Sequence, residues 1–190
     1  RRGALEFRAV GNENDVSRGR DDRLCDLHLA VIEVEQRAVM VDRGDAEGGV
    51  IFATGTENSG FSFYVFDNRL VFDYNFFGEH LVVRSQAELP TGSSTLTCQL
   101  RRTGKAGYVI LLVNQEEVGR MELPFVMRVI SSVGPSVAYD HGSPVAYDYA
   151  NRSDGFPFEG TLDSVTITLI DTKKDPNIAE SQARAEMGRQ

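Results

Sequence analysis

Apolar and polar residues alternate with a period close to two along most of this chain, the spacing at which every second side chain faces one side of a strand. Phe61-Ser62-Phe63-Tyr64-Val65-Phe66 runs into Asp67-Asn68 and then into Arg69-Leu70-Val71-Phe72-Asp73-Tyr74-Asn75. Asp and Asn tolerate the left-handed backbone that a two-residue hairpin turn demands, so this stretch predicts two aromatic-rich strands around a tight turn. Tyr108 to Val113, Asn114-Gln115 and Glu116 to Met121 predict a second hairpin. Further strands are expected at Leu27 to Glu35, Gly49 to Ala53, His80 to Arg84, Ser94 to Arg101 and Thr161 to Ile170. About ten strands with turn signals at short intervals point to an all-β antiparallel fold, a two-sheet sandwich rather than a barrel. Val109 to Val113 is apolar on both faces, as expected of a strand covered from two sides.

Two stretches break the period. Residues 11–23 are almost entirely polar and read as a loop or linker. Near the end, Asp175 can cap a helix, Pro176 suits its first turn and Gly188 can stop it. The expected division is therefore 1–24, an N-terminal strand and polar linker; 25–171, the sandwich; and 172–190, a short C-terminal helical tail.

The chain has 190 residues, 41% hydrophobic and 25% charged, enough for one domain with a real core. The longest apolar run is a few residues, far below the ~20 that span a bilayer, so no membrane partner is expected. A net charge of −8 leaves no basic footprint for nucleic acid. The first residue is Arg1 rather than Met, as in a processed or excised piece, and no signal-peptide pattern is visible. Cys98 alternates with Leu96 and Leu100 and reads as a small buried hydrophobe. With Cys25 it makes at most one disulfide, too little for a disulfide scaffold.

The richest candidate chemistry lies in Tyr139-Asp140-His141-Gly142-Ser143-Pro144-Val145-Ala146-Tyr147-Asp148-Tyr149. No cofactor is expected, but Asp140, His141 and Asp148 could gather around Ca²⁺, and Tyr147 and Tyr149 could stack on a sugar ring. The alternative is a wide turn whose Asp140 and Asp148 accept backbone N–H bonds. His28, His80 and His141 have no paired zinc-ligand spacing. Arg101, Arg102 and Lys105 flank a Gly-rich turn and could contact an anion if they cluster; otherwise they are a solvated hairpin tip. Glu33 and Glu35 share one strand face, but the third acid of a glucanase-like array is missing, with Val31 and Arg37 at the neighbouring positions. No nucleophile elbow and no phosphate-cradling glycine loop is present, so no catalytic residue is assigned.

Six strings, in order, carry a resemblance: Gly48-Gly49-Val50-Ile51-Phe52-Ala53-Thr54-Gly55, Gly60 to Val65, Arg69 to Asn75, Leu89-Pro90-Thr91-Gly92, Asp140 to Val145 with Asp148-Tyr149, and Phe158-Glu159-Gly160-Thr161-Leu162-Asp163-Ser164-Val165. Over about residues 25–171 the chain resembles the C-terminal, non-catalytic region of long bacterial arylsulfatases. The resemblance implies a concanavalin A-like (laminin-G-like) jelly roll. With no signal peptide or transmembrane segment visible, a soluble protein of the bacterial cytoplasm is expected, although the sequence does not itself name the compartment. The resemblance also implies an accessory domain packing on a sulfatase catalytic core, in cis or in trans. The sulfatase nucleophile signature, Cys-x-(Pro/Ser/Ala)-x-Arg, is not met: Cys98-Gln99-Leu100-Arg101-Arg102 has Leu100 where a small residue or Pro belongs, and Cys25-Asp26-Leu27-His28-Leu29 fails at both positions. The chain is therefore expected not to be an enzyme. Phe76 and Phe77 are candidates either for the contact with such a core or for this domain's own interior. The other readings are a free-standing lectin-like module binding a glycan, and a glucanase-like hydrolase.

Overall fold

In the computed structural model, residues 3–7, 34–44, 47–126 and 133–169 are described. They form eleven strands: β1 (Gly3–Phe7), β2 (Val34–Arg43), β3 (Gly49–Thr56), β4 (Ser59–Phe66), β5 (Arg69–Phe76), β6 (Glu79–Arg84), β7 (Gly92–Thr103), β8 (Ala106–Val113), β9 (Glu116–Leu123), β10 (Ser136–Val137) and β11 (Thr161–Leu169). The tight turns that link neighbours are made by the residues whose chemistry permits them. Asp67 and Asn68 take φ of +47° and +58°, and Asn114 and Gln115 take +50° and +72°. Positive φ at both central residues matches the right-handed twist of the flanking strands, so both hairpins expected from the sequence form, the first in continuous register and the second with a register shift between Leu111 and Leu112.

Pairing is antiparallel throughout. One sheet has the order β1-β11-β2-β7-β8-β9 and the other β10-β3-β4-β5-β6. Between them lie Phe52, Phe61, Phe63 and Phe72 from the smaller sheet against Leu96, Leu100, Val109, Leu111 and Val165 from the larger. Each such side chain contributes about 1.5–3 kcal/mol on burial. Cys98, on the same face of β7, is 2% exposed, in keeping with its reading as a small hydrophobe. Arg43, also buried, binds the two sheets at one end: it donates to the Leu89 carbonyl at 2.9 Å, to the Gly44 and Glu47 carbonyls, and to the Asn68 side chain.

Two expectations need revision. The strand expected to end at Glu35 continues to Arg43, because it fills the gap between β7 and β11 and is fixed by both; residues 27–33 of that expectation lie outside the described ones. The doubly covered strands are not in the β8 hairpin, where Val109, Leu111 and Val113 are buried but Ile110 and Leu112 only half so. They are β3, β4 and β5, buried on both faces. The linker at 11–23 and the C-terminal helix lie outside the described residues.

Candidate functional site

The second cover on β3–β5 comes from residues 138–158, which cross the outer face of the smaller sheet. Register defines that face. Gly60, Asn75 and His80 lie in one row across β4, β5 and β6; Ser62, Asp73 and Val82 in the next; and Tyr64, Val71 and Arg84 in a third. Most of these are polar, which is unusual beneath a covering segment. A buried polar group costs free energy unless it is bonded, and the crossing segment supplies most of the bonds.

At the base of the segment, Asp140 Oδ2 accepts the Val145 N–H at 2.7 Å and the Tyr149 hydroxyl at 2.8 Å, and Tyr149 also lies 2.8 Å from Ser62 Oγ. Asn75 donates to the Val145 carbonyl at 3.0 Å. Tyr149, Ala146 and Phe156 pack with Val50, Ala53, Tyr64 and Val71 in a second, smaller apolar cluster. Gly155 closes the segment at φ +74°, with its backbone against the Asp140 carbonyl. Burial lifts the Asp140 carboxyl above the ordinary range, against the two bonds it accepts, and drives the Tyr149 hydroxyl far above its usual titration.

Toward solvent, a short 3-10 turn, Tyr147–Tyr149, aims consecutive side chains differently. Asp148 accepts from Arg84 Nη2 through both oxygens, at 2.7 and 2.8 Å, and from the Tyr64 hydroxyl at 2.7 Å. Tyr147 turns outward and is 66% exposed. Its ring stacks on His80 with centroids 3.7 Å apart, and its hydroxyl donates to the Gly78 carbonyl at 3.2 Å. Beneath it, His80 Nδ1 lies 2.9 Å from both oxygens of Asp73. Loss of hydration raises the Asp73 carboxyl to about 6, although the bond from His80 pulls the other way. Val82, 39% exposed, and Arg84 continue the open strip along β6, and Phe77, 61% exposed, marks its other end.

The candidates from the sequence thus separate. Tyr147 and Asp148 join the open strip; Asp140 and Tyr149 hold its foundation; His141 stands apart, exposed, with its ring against Tyr139. Asp140 Oδ2 and both carboxylate oxygens of Asp148 are engaged by protein donors, and no group of three or more His, Cys, Asp or Glu side chains that could hold a metal is assembled among the described residues. Arg101 and Arg102 are successive residues of β7 and face opposite sides of their sheet, while Lys105 sits at the exposed hairpin tip; Arg102 Nε donates to the Gly104 carbonyl. Glu33 lies outside the described residues, and Glu35 is in β2. Phe76 packs on Phe125 at 4.5 Å, whereas Phe77, at φ +51° in the β5–β6 turn, points to solvent. Tyr64, Asp73, His80 and Arg84 escape local inspection. The one available signal is Asp73, a carboxylate in the middle of an aromatic-rich strand.

Two solved structures share this architecture. Domain 4 of AbnA, a GH43 extracellular arabinanase from Geobacillus stearothermophilus, in complex with arabinotriose, superposes with a TM-score of 0.52 at 16% identity, covering 75% of this chain and 63% of that one. The NanB sialidase from Streptococcus pneumoniae superposes with a TM-score of 0.54 at 13% identity, covering 82% of this chain and 25% of that one. The fold is a concanavalin A-like jelly roll. The match therefore spans less than two-thirds of the arabinanase domain and a quarter of the sialidase, and at these identities it speaks for fold alone. No family model matches the chain, and no curated protein does. Among the described residues, no helix is long and apolar enough to cross a membrane.

Proposed function

We propose that this jelly roll is a non-catalytic binding module for glycans, with Tyr147 as its platform. The observation that carries the reading is an aromatic ring 66% exposed yet held by two contacts, the His80 stack and the Gly78 bond. A ring fixed before binding loses little entropy when a sugar face packs on it. Beside it, Asp148 and Arg84 supply an acceptor and donors for sugar hydroxyls. The arabinotriose in complex with the arabinanase domain supports the class of ligand. Cys98, buried in the middle of β7, supports the absence of a sulfatase nucleophile. The test is calorimetry of the chain against a panel of neutral and sulfated oligosaccharides, arabino-oligosaccharides included. Tyr147→Ala should abolish binding with the melting temperature kept, and Tyr147→Phe should retain it. Equal binding by Tyr147→Ala would sink the reading.

Phe77 favours a second reading, that of a domain packing on a sulfatase catalytic core, as the sequence resemblance implies. A large apolar side chain raised on a turn is an interface anchor in form. Ultracentrifugation with an arylsulfatase catalytic domain lacking its own C-terminal region tests it. The pair should associate, Phe77→Ser should separate them, and failure of the unaltered pair to associate removes this reading.

A further inference from the structure

Arg84 meets its carboxylate differently from two other exposed arginines. Arg120 and Arg152 each present Nε and Nη2 to the two oxygens of one carboxylate, so both nitrogens on that edge of the fork are taken. Arg84 instead gives Nη2 alone to both Asp148 oxygens, and no acceptor among the described residues meets its Nε or Nη1. A guanidinium is planar and its N–H groups point in fixed directions. Pairing end-on therefore leaves donors aimed away from Asp148, on a side chain that is exposed.

The strand sets where those donors lie. His80, Val82 and Arg84 alternate on β6 and share its outer face. Four residues of strand put Arg84 about 13 Å from His80, on which Tyr147 stacks. A single sugar ring resting on Tyr147 does not cover that distance. Val82, exposed between the two, offers apolar surface against which the C–H groups of a longer ligand can pack.

We infer that Arg84 forms a second subsite, so that the ligand is a neutral oligosaccharide of two or more rings lying along β6. The inference rests on reading this face as a glycan site. One ring packs on Tyr147, and a later one accepts from Arg84 Nε and Nη1. Charge decides between neutral and acidic rings. The Arg84 cation is already balanced by Asp148, and Asp73 stands in the adjacent row of the same face. A carboxylate or sulfate brought to Arg84 would sit beside Asp148 with no cation of its own, in a chain of net charge −8. Hydroxyl and ring oxygens accept the same N–H groups without adding charge. Asp148 also holds the guanidinium in place before the ligand arrives, which lowers the entropy lost on binding.

Calorimetry of each monosaccharide against its trimer tests this: arabinose with arabinotriose, xylose with xylotriose, glucose with cellotriose, and galacturonic acid with its trimer. A neutral trimer should bind more tightly than its monosaccharide. Arg84→Lys keeps a cation for Asp148 but gathers all its donors on one nitrogen. It should lower the ratio of trimer to monosaccharide affinity about tenfold, the size of two modest hydrogen bonds, with the melting temperature kept. A ratio unchanged in Arg84→Lys overturns the second subsite. Tighter binding of the galacturonic acid trimer than of every neutral trimer overturns the neutral class. Trimer binding that survives Tyr147→Ala yet still weakens with Arg84→Lys removes Tyr147 as the platform and leaves the Arg84 subsite standing. No binding by any of these sugars removes both.

Discussion

Arg84 and Asp148 meet through a single guanidinium nitrogen shared between two carboxylate oxygens, although 64 residues separate them in sequence. Arg84 comes from an edge strand and Asp148 from the segment that crosses the sheet, so the pair pins one to the other at the solvent boundary. Exposed ion pairs contribute about 1 kcal/mol or less. A double-mutant cycle with Arg84→Ala and Asp148→Asn should return a coupling of that size in urea unfolding. Amide exchange around Tyr147 should accelerate more than the loss of global stability explains.

Tyr149→Phe removes one hydroxyl, which takes from the buried Ser62 Oγ its bond to Tyr149 and leaves Asp140 Oδ2 with the Val145 N–H alone. A buried polar group deprived of its partner costs about 1–3 kcal/mol, so thermal unfolding should shift down by several degrees. Tyr147→Phe, one turn outward, should cost far less, because its bond to the Gly78 carbonyl is at the surface. Equal losses from the two substitutions would contradict the division into foundation and platform.

Asp73 makes stability depend on pH in the direction opposite to most carboxylates. Its folded-state titration lies at about 6, above the ordinary 3.8, so between those values the folded chain holds the proton more tightly than the unfolded one. Its contribution is greatest below 3.8 and declines as pH rises through 6, by about 3 kcal/mol at most. Asp154, lowered to about 2 by Arg152 and the Phe156 N–H, works the other way and loses its contribution as acid approaches that value. Denaturant unfolding of Asp73→Asn should therefore show a weaker decline from pH 4 to pH 6.5 than the unaltered chain.

Gly155→Ala should be among the most damaging small substitutions in the crossing segment. An added Cβ would lie 2.3 Å from the Asp140 carbonyl oxygen, and φ there is +74°. A clash with backbone cannot be relieved by a rotamer, so a loss of about 2 kcal/mol or more is expected, with the Asp140–Tyr149 bond the first casualty. Melting temperature and the near-ultraviolet signal of Tyr149 check it.

The sequence alone makes the sandwich legible where it has a local cause. The Asp67-Asn68 and Asn114-Gln115 turns declare themselves because few other residue pairs accept positive φ at both positions. β2 is less legible: its boundaries come from two partners, β7 and β11, far away along the chain. The same holds at the site. Tyr147 and Asp148 stand out within one motif rich in tyrosine and aspartate, but their partners Tyr64, His80 and Arg84 sit on strands that read only as strands. Alternation tells which side chains share a face and not what will lie on top of it. Sequence alone offers Asp140 and Asp148 both as ligands and as turn supports, and the bonds they make separate one supporting role, Asp140, from one at the rim, Asp148.

The two sheets also differ in how soon they can assemble. β3 to β6 form a meander of adjacent hairpins within residues 49–84, whereas the larger sheet joins β1 to β11 across most of the described chain. Local pairings form before distant ones. The meander therefore exists for a time with its outer face bare, and an apolar face in that state invites other chains to stick. Asn75, Asp73, Ser62, His80 and Arg84 keep that face wet until the Tyr147 segment, emerging some sixty residues later, settles on it. The polar surface beneath the segment thus guards the chain against aggregation during its own synthesis.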